Sequence, residues 1–112
     1  MCLLAFALDA HPRYRLVVAA NRDEVHARPA APLDWWPDAP DLLGGRDLQA
    51  GGTWMGVTRD GRWAALTNVR DPAAPRRAER SRGALVREFL TGTRPAAEAA
   101  AQIHRQRDGY DG

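Results

Sequence analysis

The run Val17-Val-Ala-Ala, followed without a break by Asn21-Arg-Asp-Glu24, constrains the fold more than any other stretch. Such an apolar run reads as a strand buried on both faces. Polar side chains at its tip are held by a rigid element, where precise chemistry is best placed. A second apolar run, Leu3 to Leu8, precedes it, and Asp9-Ala-His-Pro-Arg13 between the two carries turn residues. If Leu8 faces Tyr14, Cys2 lies opposite Ala20, and the chain start lies against Asn21, Arg22 and Asp23. A slip of one or two residues leaves that neighbourhood intact. The single cysteine, the amino terminus and the polar tip are therefore expected to converge.

These residues, with others in order, resemble a known family. Met1-Cys2 before apolar residues and Ala20-Asn-Arg-Asp-Glu24 come first. Arg28-Pro29, Gly44-Gly-Arg-Asp47, Gly51-Gly-Thr-Trp54, Ala64-Ala-Leu-Thr-Asn68, Ser81-Arg-Gly83 and Leu85-Val86 follow. Together they resemble the transport and Golgi organisation 2 family, named also for its Asn-Arg-Asp-Glu motif. The resemblance implies a fold like that of the N-terminal-nucleophile hydrolases, a four-layer αββα sandwich. It also implies a link to haem mobilisation and to lipid or acyl-thioester handling. Because the family's usual chain is about twice as long, residues 1–112 are expected to be a single domain that forms the N-terminal fragment of a larger one.

Composition supports that expectation. Leu, Ile, Val and Phe total 20 of 112 residues, just under the ~20% that marks a chain short of core-forming residues. The 45% apolar fraction is raised by 21 alanines, and the net charge is only +2. All 16 basic residues are Arg, which reads as a compositional bias of a GC-rich genome. The densest basic stretch, Arg70, Arg76, Arg77, Arg80 and Arg82 against Asp71 and Glu79, has no interleaved aromatics and matches no nucleic-acid module. It reads as a solvated loop, with capture of an anionic ligand as the rival. A lone cysteine excludes an internal disulfide. Neither a signal peptide nor a run of ~20 apolar residues is present, so a cytoplasmic protein without a membrane span is expected.

Further along, Val25 to Asp41 is expected to be a Pro-rich loop in which Trp35-Trp36 covers a core edge rather than binding a ligand. Gly44-Gly45 and Gly51-Gly52 suggest backbone that turns tightly or passes close to something. Thr53–Thr58 and Arg62–Thr67 form a hairpin about Asp60-Gly61, with Trp54 facing Thr67 and Asn68 facing Thr53. Ser81 is the N-cap of a helix whose stripe is Leu85, Val86, Phe89 and Leu90, stopped by Gly92. A second, Ala-rich helix runs from Thr93 to about Arg105, with Pro95 in its first turn. Hairpins followed by helices give an α+β fold.

Cys2 carries the candidate chemistry. Removal of Met1, expected because the next residue is small, leaves cysteine with a free α-amine. An unperturbed thiol titrates near ~8.5 and an α-amine near ~7.7–8.0, so the amine can take the thiol proton. Arg22 would favour the thiolate, Asp23 would orient the ammonium, and Asn68 would donate to an oxyanion; the resemblance to cysteine amidases implies these roles. The competing readings are a small buried hydrophobe for Cys2, an ion pair closing the sandwich edge for Arg22 and Asp23, and a turn residue for Asn68. Residues that complete such amidase sites in the family's second half are absent here. His11, His26 and His104 form no tight cluster, so no metal or other cofactor is expected. Two functions follow: a cysteine hydrolase of small non-peptide amides or thioesters, or a non-catalytic carrier of haem or a lipid or acyl-type ligand. Oligomeric state is not legible.

Overall fold

The structure, a computed structural model, describes residues 2–68 and 80–110. The fold is α+β. Strands β1 (Leu3–His11) and β2 (Tyr14–Asn21) form a two-stranded antiparallel sheet. Strands β3 (Ala30–Trp36), β4 (Ala39–Asp47), β5 (Met55–Thr58) and β6 (Trp63–Ala65) form a four-stranded antiparallel sheet in that order. Helices α1 (Gly83–Thr91) and α2 (Ala96–Arg105) follow.

The core lies between α1 and the four-stranded sheet. Trp36, Leu42, Val86 and Leu90 are buried together, with Ala64, Leu66 and Phe89 packed around them. Strand alternation assigns the faces. Ala64 packs toward the helix, so Trp63 faces the other way, and its ring meets Phe6 of β1 at 5.9 Å. Helix α1 thus covers one face of the larger sheet, and the hairpin touches the other side through that ring contact. No second helical layer lies outside the hairpin among the described residues.

The first hairpin corrects the expected register. Leu8 faces Leu16 and Leu3 faces Asn21, a slip of two residues. The strand continues through Asp9, which takes φ of +52° at an irregularity between Leu8 and His11, and the turn shrinks to Pro12-Arg13. An even slip keeps every side chain on its face. Burial on both faces is also corrected: Leu3, Phe6 and Leu8 are each more than 60% exposed and Val17 is 47% exposed. Nothing among the described residues covers the face carrying Leu3, Ala5, Ala7, Val17 and Ala19.

The expected loop Val25 to Asp41 instead contains β3 and the start of β4. The prolines fit because β3 is an edge strand: Pro32 sits at a register irregularity and Pro37 lies in the turn. Trp36 is 3% exposed and donates its indole N–H to Gly44 O at 2.9 Å, whereas Trp35 lies outside under Arg59. The second hairpin slips by one residue: Met55 faces Ala65. Its loop closes between Thr58 and Arg62 rather than Arg59 and Arg62, with Gly61 at φ +86°. That is a three-residue loop ending in a left-handed glycine. Asn68 consequently falls nearer Gly52 than Thr53.

Helix α1 is pinned at both ends. Ser81 Oγ accepts the Gly83 N–H at 3.3 Å and Ser81 O accepts the Ala84 N–H at 3.0 Å, so Ser81 caps it although regular helix begins two residues later. At the far end, Arg62 donates Nε and Nη2 to Phe89 O at 3.2 and 2.9 Å and lies over the Phe89 ring. A cation on a helix's terminal carbonyls satisfies acceptors that lack intrahelical partners. Helix α2 begins three residues later than expected, with Pro95 just before its first turn.

Gly52 packs backbone to backbone on the start of α1. A Cβ there would lie 2.5 Å from Gly83 C and 2.6 Å from Gly83 O. Gly52→Ala should therefore destabilise by about 1–3 kcal/mol, the range for overpacking. Gly45→Ala, whose nearest atom is Ala31 O at 3.5 Å, should stay within ~0.5 kcal/mol. Urea unfolding of both variants checks this; equal stabilities would contradict it.

Candidate functional site

Asn21 and Asp23 position Cys2. The Asn21 side-chain oxygen accepts the Leu3 N–H at 3.1 Å, pinning the start of β1 to the end of β2. Immediately beyond, the Asp23 backbone N–H donates to Cys2 Sγ at 3.3 Å. The polar tip thus folds around the cysteine.

Cys2 lines a cavity of about 180 Å³, together with Arg22, Arg28, Arg46, Asn68, Ser81 and Arg82 among others. Cys2, Arg22 and Asn68 are brought together there. Asp23 approaches Cys2 through its backbone. The cavity wall comes from the β2 tip, the β3–β4 hairpin, the segment around Thr53 and the entry to α1. The Gly52–Gly83 contact and the bond from Thr53 N–H to Gly83 O, 3.3 Å long, draw the last two together.

Sequence reasoning missed the ion pairs that shape this cavity. Arg28 donates Nε and Nη2 to Asp47 Oδ2 at 3.0 and 2.6 Å. The other Asp47 oxygen accepts the Gln49 and Ala50 N–H groups at 2.9 and 3.2 Å. Burial opposes ionisation of Asp47, but the Arg28 bond and the two backbone donors outweigh it and hold the carboxyl below its ordinary range. Arg28 is correspondingly raised, first by its bond to Asp47. Arg46 forks onto Asp38 at 2.6 and 2.8 Å and lies 4.3 Å from the Trp36 ring centroid. That fork is the main reason Asp38 is held low. Arg22 pairs with Glu24 at 3.5 Å. The only advance signal was that Arg28 and Asp47 stand in motifs of the resemblance; nothing in their spacing paired them.

Among the described residues no cluster of three His, Cys, Asp or Glu is placed to hold a metal, and no helix is long and apolar enough to cross a membrane. Of the Arg70 to Arg82 stretch, Arg70, Arg76 and Arg77 lie outside the described residues. Arg80 pairs with Glu88 and lies over Tyr110, and Arg82 reaches the cavity.

The family model described as Transport and Golgi organisation 2 matches residues 1–112. The Transport and Golgi organization protein 2 homolog of Bos taurus is 39% identical over 119 aligned positions, covering 100% of this chain and 43% of that protein. The Homo sapiens homolog is 43% identical over 98 positions, covering 81% and 35%. Transport and Golgi organization protein 2 of Drosophila melanogaster is 34% identical over 100 positions, again covering 81% and 35%. The chain thus spans less than half the length of these relatives.

The Arg28–Asp47 pair should give a pH signature. A depressed carboxylate contributes stability that is present above its unfolded pKa, ~3.9, and is lost as pH falls through the lower folded value. Asp47→Asn should cost about 2 kcal/mol at pH 7, the scale of charge-assisted hydrogen bonds. The difference from wild type should shrink below pH ~4. Denaturant titrations at both pH values check this, and a pH-independent difference would contradict it.

Proposed function

Since the chain belongs to the Transport and Golgi organisation 2 family, we propose that it contributes the nucleophile half of a cysteine hydrolase acting on small non-peptide amides or thioesters. The observation that carries this reading is the convergence of Cys2, Arg22 and Asn68 on one cavity, with the Asp23 N–H on the sulfur. With Met1 removed, the α-amine of Cys2 takes the thiol proton as Sγ attacks the substrate carbonyl carbon. The developing oxyanion accepts from the Asn68 amide. Collapse breaks the C–N or C–S bond, and the ammonium returns its proton to the leaving group. Water then hydrolyses the acyl-thioester. Arg22 supplies positive charge beside the sulfur, and Asp23 orients the ammonium. A cytoplasmic site of action belongs to the same reading.

A carrier role is the second reading. It is favoured by a groove of about 470 Å³ along α1 and α2, lined by Leu85, Phe89, Ile103 and Tyr110 among others. That volume falls within the ~300–1,000 Å³ of small-molecule sites.

Exposure to p-nitrophenyl acetate, followed by intact mass spectrometry, separates the two. The hydrolase reading expects a burst of nitrophenol and one acetyl group on the N-terminal peptide, both lost in Cys2→Ala. Asn68→Ala should slow acylation about 10²-fold, the scale of a lost oxyanion donor. No adduct on Cys2 would leave the carrier reading standing.

A further inference from the structure

We propose that the cavity selects an anionic substrate, one whose acyl portion carries a carboxylate, and that Arg82 is the residue that holds it. The proposal rests on the reading of Cys2 as nucleophile and names the substrate class of that site.

Charge pairing in the wall singles out Arg82. Four arginines line the cavity: Arg22, Arg28, Arg46 and Arg82. Arg28 is held by Asp47 and Arg46 by Asp38, each through two hydrogen bonds. Arg22 pairs with Glu24. Arg82, half-buried, has no carboxylate partner among the described residues. A guanidinium facing a concave site without a partner is matched to a planar anion, which it binds through two parallel N–H donors.

Two neighbouring features reinforce the sign. Helix α1 starts at Gly83, directly after Arg82, and has no acidic residue in its first turn. Its N-terminal partial charge is therefore not offset locally. Ser81 also lines the cavity. Its oxygen accepts the Gly83 N–H, which leaves its own O–H to donate. Arginine, helix start and hydroxyl all offer positive charge or a donor.

Size narrows the class further. The cavity of about 180 Å³ is smaller than the ~300–1,000 Å³ of sites for drug-sized ligands. The cavity suits a short dicarboxylic acyl group with one carboxyl activated for attack and the other free. It does not suit a long chain within the cavity itself.

Two matched probes test this: p-nitrophenyl acetate and p-nitrophenyl hydrogen succinate, compared by kcat/KM for acylation of Cys2. Wild type should favour the succinyl ester about tenfold over its ratio in free cysteine, since one charge-assisted contact is worth at least ~1.4 kcal/mol. Raised salt should reduce the preference. Arg82→Gln should bring the ratio back to that of free cysteine, while Arg82→Lys, which keeps the charge, should retain part of it. An unchanged ratio in Arg82→Gln, or no preference in wild type, overturns the proposal. A separate arm removes the acyl chemistry: calorimetric titration of Cys2→Ala with succinate. Binding that disappears on adding Arg82→Gln supports the anion site even if neither ester acylates Cys2, in which case only the hydrolase reading falls. No succinate binding to Cys2→Ala overturns the anion site itself.

Discussion

The backbone contact between Gly52 and Gly83 is what the rest of the arrangement depends on. It has no room for a side chain on Gly52, and it fixes where α1 begins relative to the four-stranded sheet. From that fixed start, Val86 and Leu90 reach Trp36 and Leu42 in the core. The same start sets Ser81 and Arg82 into the cavity wall beside Thr53. One close approach of two chain segments therefore serves both packing and the site.

Arginine does work that lysine would not do equally well in this chain. Arg46 on Trp36, Arg59 on Trp35, Arg62 on Phe89 and Arg80 on Tyr110 each lie over a ring. Arg46, Arg62 and Arg28 also fork onto oxygens. A planar guanidinium can stack and donate in-plane at once, whereas an ammonium is a compact, strongly hydrated point charge. An all-arginine composition read as genome bias thus takes on structural roles once the chain folds.

What was legible in the sequence followed local chemistry. Continuous apolar runs gave β1 and β2, a helical stripe gave α1 and an Ala-rich stretch gave α2, each within a few residues, and Gly51-Gly52 correctly announced a close approach. Registers were harder, because each depends on turn geometry that a single residue alters. Asp9 at positive φ allowed β1 to extend, and Gly61 added a residue to the second loop. Strand β3 was hidden by prolines that an edge strand tolerates, and the start of β4 by Pro37 in the turn and Pro40 just inside the strand. The Arg28–Asp47 and Arg46–Asp38 pairs join residues 19 and 8 positions apart, and no local pattern encodes such meetings. For the site, the meeting of Cys2 with the Asn21-Arg22-Asp23 tip was readable because a slip of two residues preserves strand faces. The position of Arg82 was not, since it depends on the Gly52–Gly83 contact.

The exposed apolar face of the β1–β2 hairpin bears on how firmly Cys2 is held, because a two-stranded sheet alone is marginal in water. The Phe6–Trp63 contact ties it to the larger sheet, and the Asn21 and Asp23 bonds hold its own open end together around Cys2. The central claim is that the fold around Cys2, and not the thiol by itself, makes the reactivity. The rate of Cys2 acylation by p-nitrophenyl acetate, compared at one pH between the folded chain and the chain unfolded in urea, tests it most directly. The account predicts faster acylation in the folded chain; an equal or slower folded rate would contradict it.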